Sequence, residues 1–422
     1  MNYKKTVLEN GLRIITVPMK DNPTVTVFVL VEAGSKYEKR EQNGLSHFLE
    51  HMCFKGTEKR PESSDISTEL DSIGAVYNAF TGHEYTGYYA KAQFARFDEL
   101  LDVVSDMYLN PLLPQKEIDK ERGVIIEEIN MYEDLPQHKV QNLFFNLVYG
   151  DTPAGWTIAG PRENIKKFSR EDFTAYRKRL YVAPATTVIV AGNFNEKRAI
   201  SAVEKIFGAL PSVPKAIKAP VKEEQKAPAV ALAKKDTDQA HMVLGFRSFD
   251  LYDKRARIMD VLVGVLDAGM SSRLFKKLRD EMGACYYINA SQDAFTDHGI
   301  FNISAGVDNL RVKEVTTVIL SELKKLKTDL VGEEELAKVK NNIIGTMYLG
   351  LESSNSLAKF FGFQEIMNEK IKTPDDIKGE IEAVTAKAIR DLAREIFVSK
   401  NLNLAFVGRF EDKGEFEAIL EI

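Results

Sequence analysis

A strand-like stretch in the middle of this chain recurs near its end. Tyr181-Val182 leads to Val190-Ala191-Gly192-Asn193-Phe194, and Phe397-Val398 leads to Phe406-Val407-Gly408-Arg409-Phe410. Tyr181 and Phe397, Gly192 and Gly408, and Phe194 and Phe410 share one offset of 216 residues (397 − 181), which also carries Met131-Tyr132 to Met347-Tyr348. Self-similarity at so long a period predicts two copies of one α/β unit, each of roughly 200 residues. With 422 residues, 44% hydrophobic and 28% charged, the chain has apolar material for two such cores. Between the copies, 210–228 carries Pro211, Pro214, Pro220 and Pro228 among Lys and Glu, the composition of an extended linker. The expected layout is therefore 1–212, a linker at 213–228, and 229–422.

The expected fold class is α+β, two tandem homologous α/β domains, each a mainly antiparallel sheet covered on one side by helices. Alternation and β-branched runs predict strands at 11–17 and 25–31. Apolar residues at helical spacing predict helices at 62–73, 94–109 and 115–132. A hairpin is expected from 76–81 and 85–92, around Gly82-His83. His83 at that turn reads as a solvated histidine and not a ligand.

Chemistry is concentrated at His47-Phe48-Leu49-Glu50-His51. On a helix the two histidines fall one turn apart on one face, where both rings reach one ion. Glu50 stands at the edge of that face, placed to hold a metal-bound water without taking a coordination position. Neutral imidazoles, an open position and a nearby carboxylate base are the parts of a zinc hydrolase. The order is the reverse of H-E-x-x-H, and the reversed form is itself a zinc-peptidase signature. Leu45, Phe48, Leu49, Met52 and Phe54 make the helix apolar enough to be buried, and buried histidines need a partner. Cys53 lies two residues past His51, yet it reads as a small buried hydrophobe.

The third ligand is expected on the helix at 115–132. Glu121 and Glu128 lie two turns apart on one face, with Glu117 extending the row. Acids set beside Val124, Ile125 and Ile129 are costly unless a cation meets them. Glu128 is the expected ligand and Glu121 a partner that orients a ligand or polarises the water. Glu127, about 100° away on the helix, ranks second, and without the histidine motif the row would read as a solvated acidic face.

At these residues the chain resembles the inverted-motif zinc peptidases that include pitrilysin, insulin-degrading enzyme and the mitochondrial processing peptidase. The resemblance is carried by Gly44 to Met52, by Phe54-Lys55-Gly56-Thr57, by Asn78-Ala79-Phe80-Thr81 and by Glu121 to Glu128, and it extends over nearly the whole chain. It implies that His47, His51 and Glu128 bind zinc and that Glu50 is the general base. It implies that Asn78, Ala79 and Phe80 line a sheet edge where an extended peptide pairs as an extra strand. It further implies that Arg279 and Tyr286, seven apart in the second copy, hold the substrate carbonyl and its oxyanion, for which guanidinium and phenol are suitable donors. Relatives enclose substrate in a chamber of four α/β units, so this chain is expected to act as a homodimer, a heterodimer with a related subunit being the alternative. One departure from the family is local: the loop Tyr149-Gly150-Asp151-Thr152-Pro153-Ala154-Gly155-Trp156 lacks the family's His-Pro-Leu-Gly.

One zinc per chain is expected. At the repeat offset His47, Glu50 and His51 fall on Val263, Leu266 and Asp267, Glu128 falls on Ile344, and no histidine lies between 242 and 297. A net charge of −5 gives no reason to expect nucleic acid or an anionic membrane as partner. No apolar run of about 18 residues exists to span a bilayer. The opening Met-Asn-Tyr-Lys-Lys shows no signal-peptide core, and two cysteines, Cys53 and Cys285, make no disulfide framework. A cytoplasmic zinc endopeptidase is the expectation, with manganese or cobalt open as the working metal. Two rival readings remain: a non-catalytic or partner-dependent subunit, and a metal-binding protein without hydrolysis. The substrate itself is not legible.

Overall fold

The computed structural model describes residues 2–422. It divides the chain into two compact units, each built round one sheet. In unit 1 the strands are β1 (Lys4–Val7), β2 (Arg13–Pro18), β3 (Thr24–Val31), β4 (Val76–Thr81), β5 (Thr86–Gln93) and β6 (Thr186–Gly192), in the order β1-β2-β6-β3-β5-β4. Unit 2 has β7 (Ala229–Lys234), β8 (Gln239–Ser248), β9 (Cys285–Ala294), β10 (Gly299–Asp308) and β11 (Leu402–Gly408), in the order β7-β11-β8-β10-β9. Without β1, the two orders are the same path. In each, one parallel pair (β2 with β6, β7 with β11) joins otherwise antiparallel neighbours. The repeat thus has its physical counterpart in two copies of one topology.

The expected hairpin forms from β4 and β5, with Thr81 opposite Thr86. Both strands keep side chains alternating across the sheet, and β4 is left at its edge. The predicted helices form as Ser63–Ser72, as Phe97–Leu109 after one 3-10 turn, and as Gln115–Asp134. Leu100, Val103, Val104 and Met107 of the second pack into one core with Val25, Val27, Val29 and Val31 of β3.

The units are not the contiguous halves 1–212 and 229–422. Unit 1 takes in Leu349–Thr373, and unit 2 takes in Asn130–Trp156. Each unit thus receives one helix encoded beside the other's strands. In unit 1 the helix Ser354–Ile366 lies on the second face of the sheet. There Gly362 lets it approach so closely that a Cβ would meet Ile189 and Leu30 side chains at 3.0–3.1 Å. In unit 2 the helix Pro136–Tyr149 does the same: Val140, Phe144 and Val148 pack on Val243, Ala405 and Val407. Coverage on one side only is corrected accordingly. The sequence signal is β3 itself, Thr-Val-Thr-Val-Phe-Val-Leu-Val, buried from Val25 to Val31 without alternation, as a strand covered on both faces must be.

From 211 to 228 the chain forms no helix or strand. Its first part is tied to unit 1 by Lys215 on Glu32 (2.8 Å) and Lys218 on Glu84 (3.1 Å). Its later part is tied to unit 2 by the Val221 amide on Asp297 (3.1 Å). The divergent loop after Tyr149 closes on itself, with Trp156 Nε1 donating to Asp151 at 2.7 Å. Among the described residues no helix is long and apolar enough to cross a membrane.

Phe144 anchors the second-face helix of unit 2, and a Cβ at Gly245 would come within 2.6 Å of that ring and 2.4 Å of the Phe301 carbonyl oxygen. Phe144→Ala should therefore lower unfolding stability by about 3–5 kcal/mol. Urea denaturation followed by tryptophan fluorescence, with Trp156 in the same unit, measures the shift; an unchanged midpoint would contradict this packing.

Candidate metal centre

The motif helix Leu45–Met52 is only eight residues long, so its ends matter. Leu45, Phe48, Leu49 and Met52 are fully buried, and the Phe48 ring meets Phe173 edge-on at 4.9 Å. At its start Gly44 adopts a left-handed φ of 102°, which a side chain would resist. No side chain of the N-cap residue serves the first turn. A buried carboxylate from outside does so instead: Glu38 accepts from the Gly44 amide (2.9 Å), the Ser46 amide (2.6 Å), the Ser46 hydroxyl and Asn43 Nδ2 (3.1 Å). An anion at a helix N-terminus meets both the free N–H groups and the helix dipole. Burial pushes this carboxyl up to about 7, against the pull of Ser46, Asn43 and Gly44.

The second element is the helix Gln115–Asp134, whose buried stripe is Ile118, Glu121, Ile125 and Ile129. Val124 is exposed, so it is not part of the apolar surround expected for the acids. Glu117 bonds Lys120 at the surface and Glu127 is exposed, while Glu128 turns toward the histidines.

His47, His51 and Glu128 come together. Their ligand atoms all lie within 4.8 Å of one another, the only such metal-competent group of His, Cys, Asp or Glu among the described residues. Glu128 Oε2 stands 3.6 Å from His47 Nε2 and 3.5 Å from His51 Nε2. Those separations are long for hydrogen bonds. They approach the spacing of about 3.4 Å between neighbouring ligands of a tetrahedron with 2.0–2.1 Å bonds. Two imidazoles and a carboxylate fit zinc in donor type as well. Cys53 is not in the group: it is a buried free thiol bonded to the Tyr88 hydroxyl, and burial pushes it up, away from thiolate. His83 bonds Ser35 Oγ at 2.9 Å and is half-buried, a correction to the solvated reading.

Around this trio the other groups are fixed in turn. Glu121 Oε1 pairs with His51 Nδ1 at 2.9 Å, which sets the ring's orientation, and its other oxygen takes Lys55 Nζ at 2.7 Å. Thr81, at the end of β4, donates to Glu50 Oε2 at 2.6 Å. Sequence reasoning missed three of these supporting groups. Lys55 had a signal, lying one turn past His51, and Thr81 closes the quoted Asn-Ala-Phe-Thr. Glu38 had none, because the two helix-start groups it caps are the backbone amides of Gly44 and Ser46.

Burial, then the neighbouring His51, pushes His47 down to about 3, so it stays neutral and ready to ligate. His51 behaves oppositely. Burial acts downward, but the Glu121 bond and the charges of Glu50, Glu128 and Glu121 together hold it above its ordinary 6.5. Glu50 is raised, by burial first and also by Glu128, against Thr81 and His51. Burial would raise Glu121, yet the bonds from His51 and Lys55 keep it below the usual carboxylate value.

Asn78, Ala79 and Phe80 lie on the edge strand β4, where Asn78 Oδ1 accepts from the Ala79 amide at 2.8 Å. Arg279 and Tyr286 belong to unit 2. Arg279 sits in a π-helical turn, Phe275–Glu281, with its guanidinium 5.0 Å from the Phe275 ring centre and 5.8 Å from that of Tyr286. Tyr286 is 71% exposed.

A two-copy α/β chain with one inverted His-x-x-Glu-His centre defines a metallopeptidase class. Residues 13–162 match the family model "Insulinase (Peptidase family M16)" and residues 167–343 match "Peptidase M16 inactive domain". The chain is 35% identical over 399 residues to an uncharacterised zinc protease, YmxG, of Bacillus subtilis, covering 93% of this chain and 95% of that protein. It is 32% identical to an uncharacterised zinc protease of Streptomyces coelicolor, covering 97% and 90%. A crystal structure of a protease from Helicobacter pylori superposes with a TM-score of 0.90 at 25% identity, covering 96% of this chain and 99% of that one. The chain belongs to peptidase family M16, and it is a zinc metalloprotease.

Removing the outside cap should be costly. Glu38→Ala should lower stability by about 2–3 kcal/mol and reduce bound zinc, read by thermal unfolding and metal analysis; wild-type values in both would contradict the capping role. Acid should act through His51. A histidine with a raised value binds its proton first as pH falls, and a protonated ring cannot ligate. Apparent zinc affinity, from chelator competition, should thus begin to fall above pH 6.5 and drop about tenfold per further unit. Affinity constant down to about pH 5 would show that His51 is not a ligand.

Proposed function

We propose that this zinc metalloprotease is an endopeptidase that cleaves extended peptides, with one zinc per chain held by His47, His51 and Glu128. The observation that supports it best is the convergence of those three side chains beside a carboxylate, Glu50, that none of them needs as a ligand. The bound metal would supply an acidified water and a Lewis acid for the scissile carbonyl. Glu50, anchored by Thr81 through one oxygen, keeps the other to take the water's proton and pass it to the leaving amine. Its raised value brings it nearer the pH at which such a transfer is efficient. Glu121 holds the His51 ring in place throughout.

The substrate in this reading lies along β4. An edge strand offers unpaired main-chain groups to an extended chain, and Asn78, Ala79 and Phe80 are the residues it would meet. Asn78 already occupies the Ala79 amide, so an incoming strand would exchange with that side chain. Two copies of this chain supply four α/β units, and a homodimeric chamber, or a heterodimer with a related subunit, is part of the proposal. A chamber of this kind favours unfolded or short peptides over folded proteins. Arg279 and Tyr286 would then hold the carbonyl and oxyanion at a partner copy's metal centre. A cytoplasmic setting accords with two buried free thiols.

Hydrolysis of a quenched peptide library, with metal analysis, by wild type and Glu50→Gln tests the reading. The variant should keep its zinc and lose at least about 100-fold in kcat. Cleavage surviving in Glu50→Gln would remove Glu50 as base. Zinc bound by pure wild type without any cleavage would support instead a partner-dependent or non-catalytic subunit.

A further inference from the structure

Glu121 engages His51 with one oxygen only, and its other oxygen is held by a residue with no assigned role. Lys55 lies in the turn after the motif helix, where its amide bonds the Met52 carbonyl at 3.1 Å. The next residue, Gly56, has a φ of 112°, and a Cβ there would come within 2.3 Å of the Pro61 carbonyl oxygen. The backbone path at Lys55 is thus set by its neighbours. Its side chain does not extend into solvent: 26% of it is exposed, and Nζ sits 2.7 Å from Glu121 Oε2. Ordering a lysine side chain costs up to about 2 kcal/mol of rotamer freedom, so a strong partner is required to hold it there. Glu121, with 6% of its side chain exposed, is such a partner.

We propose that Lys55 is a positioning residue for the metal centre, acting through Glu121. This rests on the zinc reading above. A carboxylate held from two directions, His51 Nδ1 on one oxygen and Lys55 Nζ on the other, cannot rotate without breaking one bond. That immobility fixes the proton on His51 Nδ1 and leaves Nε2 as the lone pair facing Glu128. Lys55 also balances the charge of Glu121, so that Glu50 and Glu128 are the carboxylates left to face a dication. With an apolar residue at 55, Glu121 would be a buried anion with one partner. It could then turn or share the His51 proton, and the ring would lose its fixed direction.

The test is the rate at which zinc-loaded protein releases its metal to a chelator. Wild type, Lys55→Met, Lys55→Gln, Lys55→Arg, Glu121→Gln and the Lys55→Met/Glu121→Gln double variant are compared, with folding checked by circular dichroism. Lys55→Met and Lys55→Gln should release zinc about tenfold faster, in the range for partners of metal ligands, and Lys55→Arg should stay within about threefold of wild type. In the Glu121→Gln background, Lys55→Met should add nothing. Wild-type release rates in the folded Met and Gln variants would overturn the proposal, as would a full Lys55 effect when Glu121 is already changed. Wild type without zinc would overturn the zinc reading and this inference together; zinc-bearing wild type with unchanged Lys55 variants would overturn this inference alone.

Discussion

The bond between His51 Nδ1 and Glu121 joins the two helices that carry the site, which also share one hydrophobic core. One is an eight-residue helix too short to be stable alone, and the other is a twenty-residue helix with one buried stripe. Their contact places Nε2 of His51 and a carboxylate two turns beyond Glu121 within 3.5 Å. The seven-residue interval from Glu121 to Glu128 therefore works as a ruler. One acid fixes the ring, and the other meets the ring's far side. Around this bond, Glu38 holds the start of the short helix, Lys55 holds the far side of Glu121, and Thr81 ties Glu50 to the end of the edge strand.

Electrostatics gives the two histidines different characters from one helix face. His47, half-buried with no donor or acceptor reaching Nδ1 among the described residues, is neutral well into acid. His51, between Glu121, Glu50 and Glu128, takes up a proton more readily than a free imidazole. Burial is what chiefly raises Glu50, whereas the bond from Glu121 and the charges of Glu50, Glu128 and Glu121 raise His51, and a cation at the trio would offset those charges. The second copy of the fold has no such demand. At the repeat offset its positions are Val263, Leu266 and Asp267, and Asp267 accepts the Ala290 amide of the edge strand β9. One copy thus carries the His-His-Glu trio, and the other has an acid bonded to an edge-strand amide instead.

Much of this was legible in the chain because it is periodic. Helical spacing exposed the His47–His51 pair and the Glu121–Glu128 row, and the 216-residue offset exposed the duplicated topology. What was not legible either runs to backbone groups or is non-local. Glu38 reaches backbone amides that carry no side-chain signature. The exchange of Asn130–Trp156 and Leu349–Thr373 between units leaves only an indirect trace, the unbroken apolar run of β3 and the small residues Gly245 and Gly362. A motif shows which groups meet; the packing that keeps them there is spread over residues hundreds of positions apart.

X-ray absorption at the zinc edge of metal-loaded protein tests the ligand set most directly. Two imidazoles, Glu128 and a water should give four light-atom neighbours at about 2.0–2.1 Å, with the outer-shell pattern of two imidazoles and no sulfur. A scatterer at about 2.3 Å would bring in Cys53, and a single-imidazole pattern would remove His47 or His51. Either result would contradict the site described.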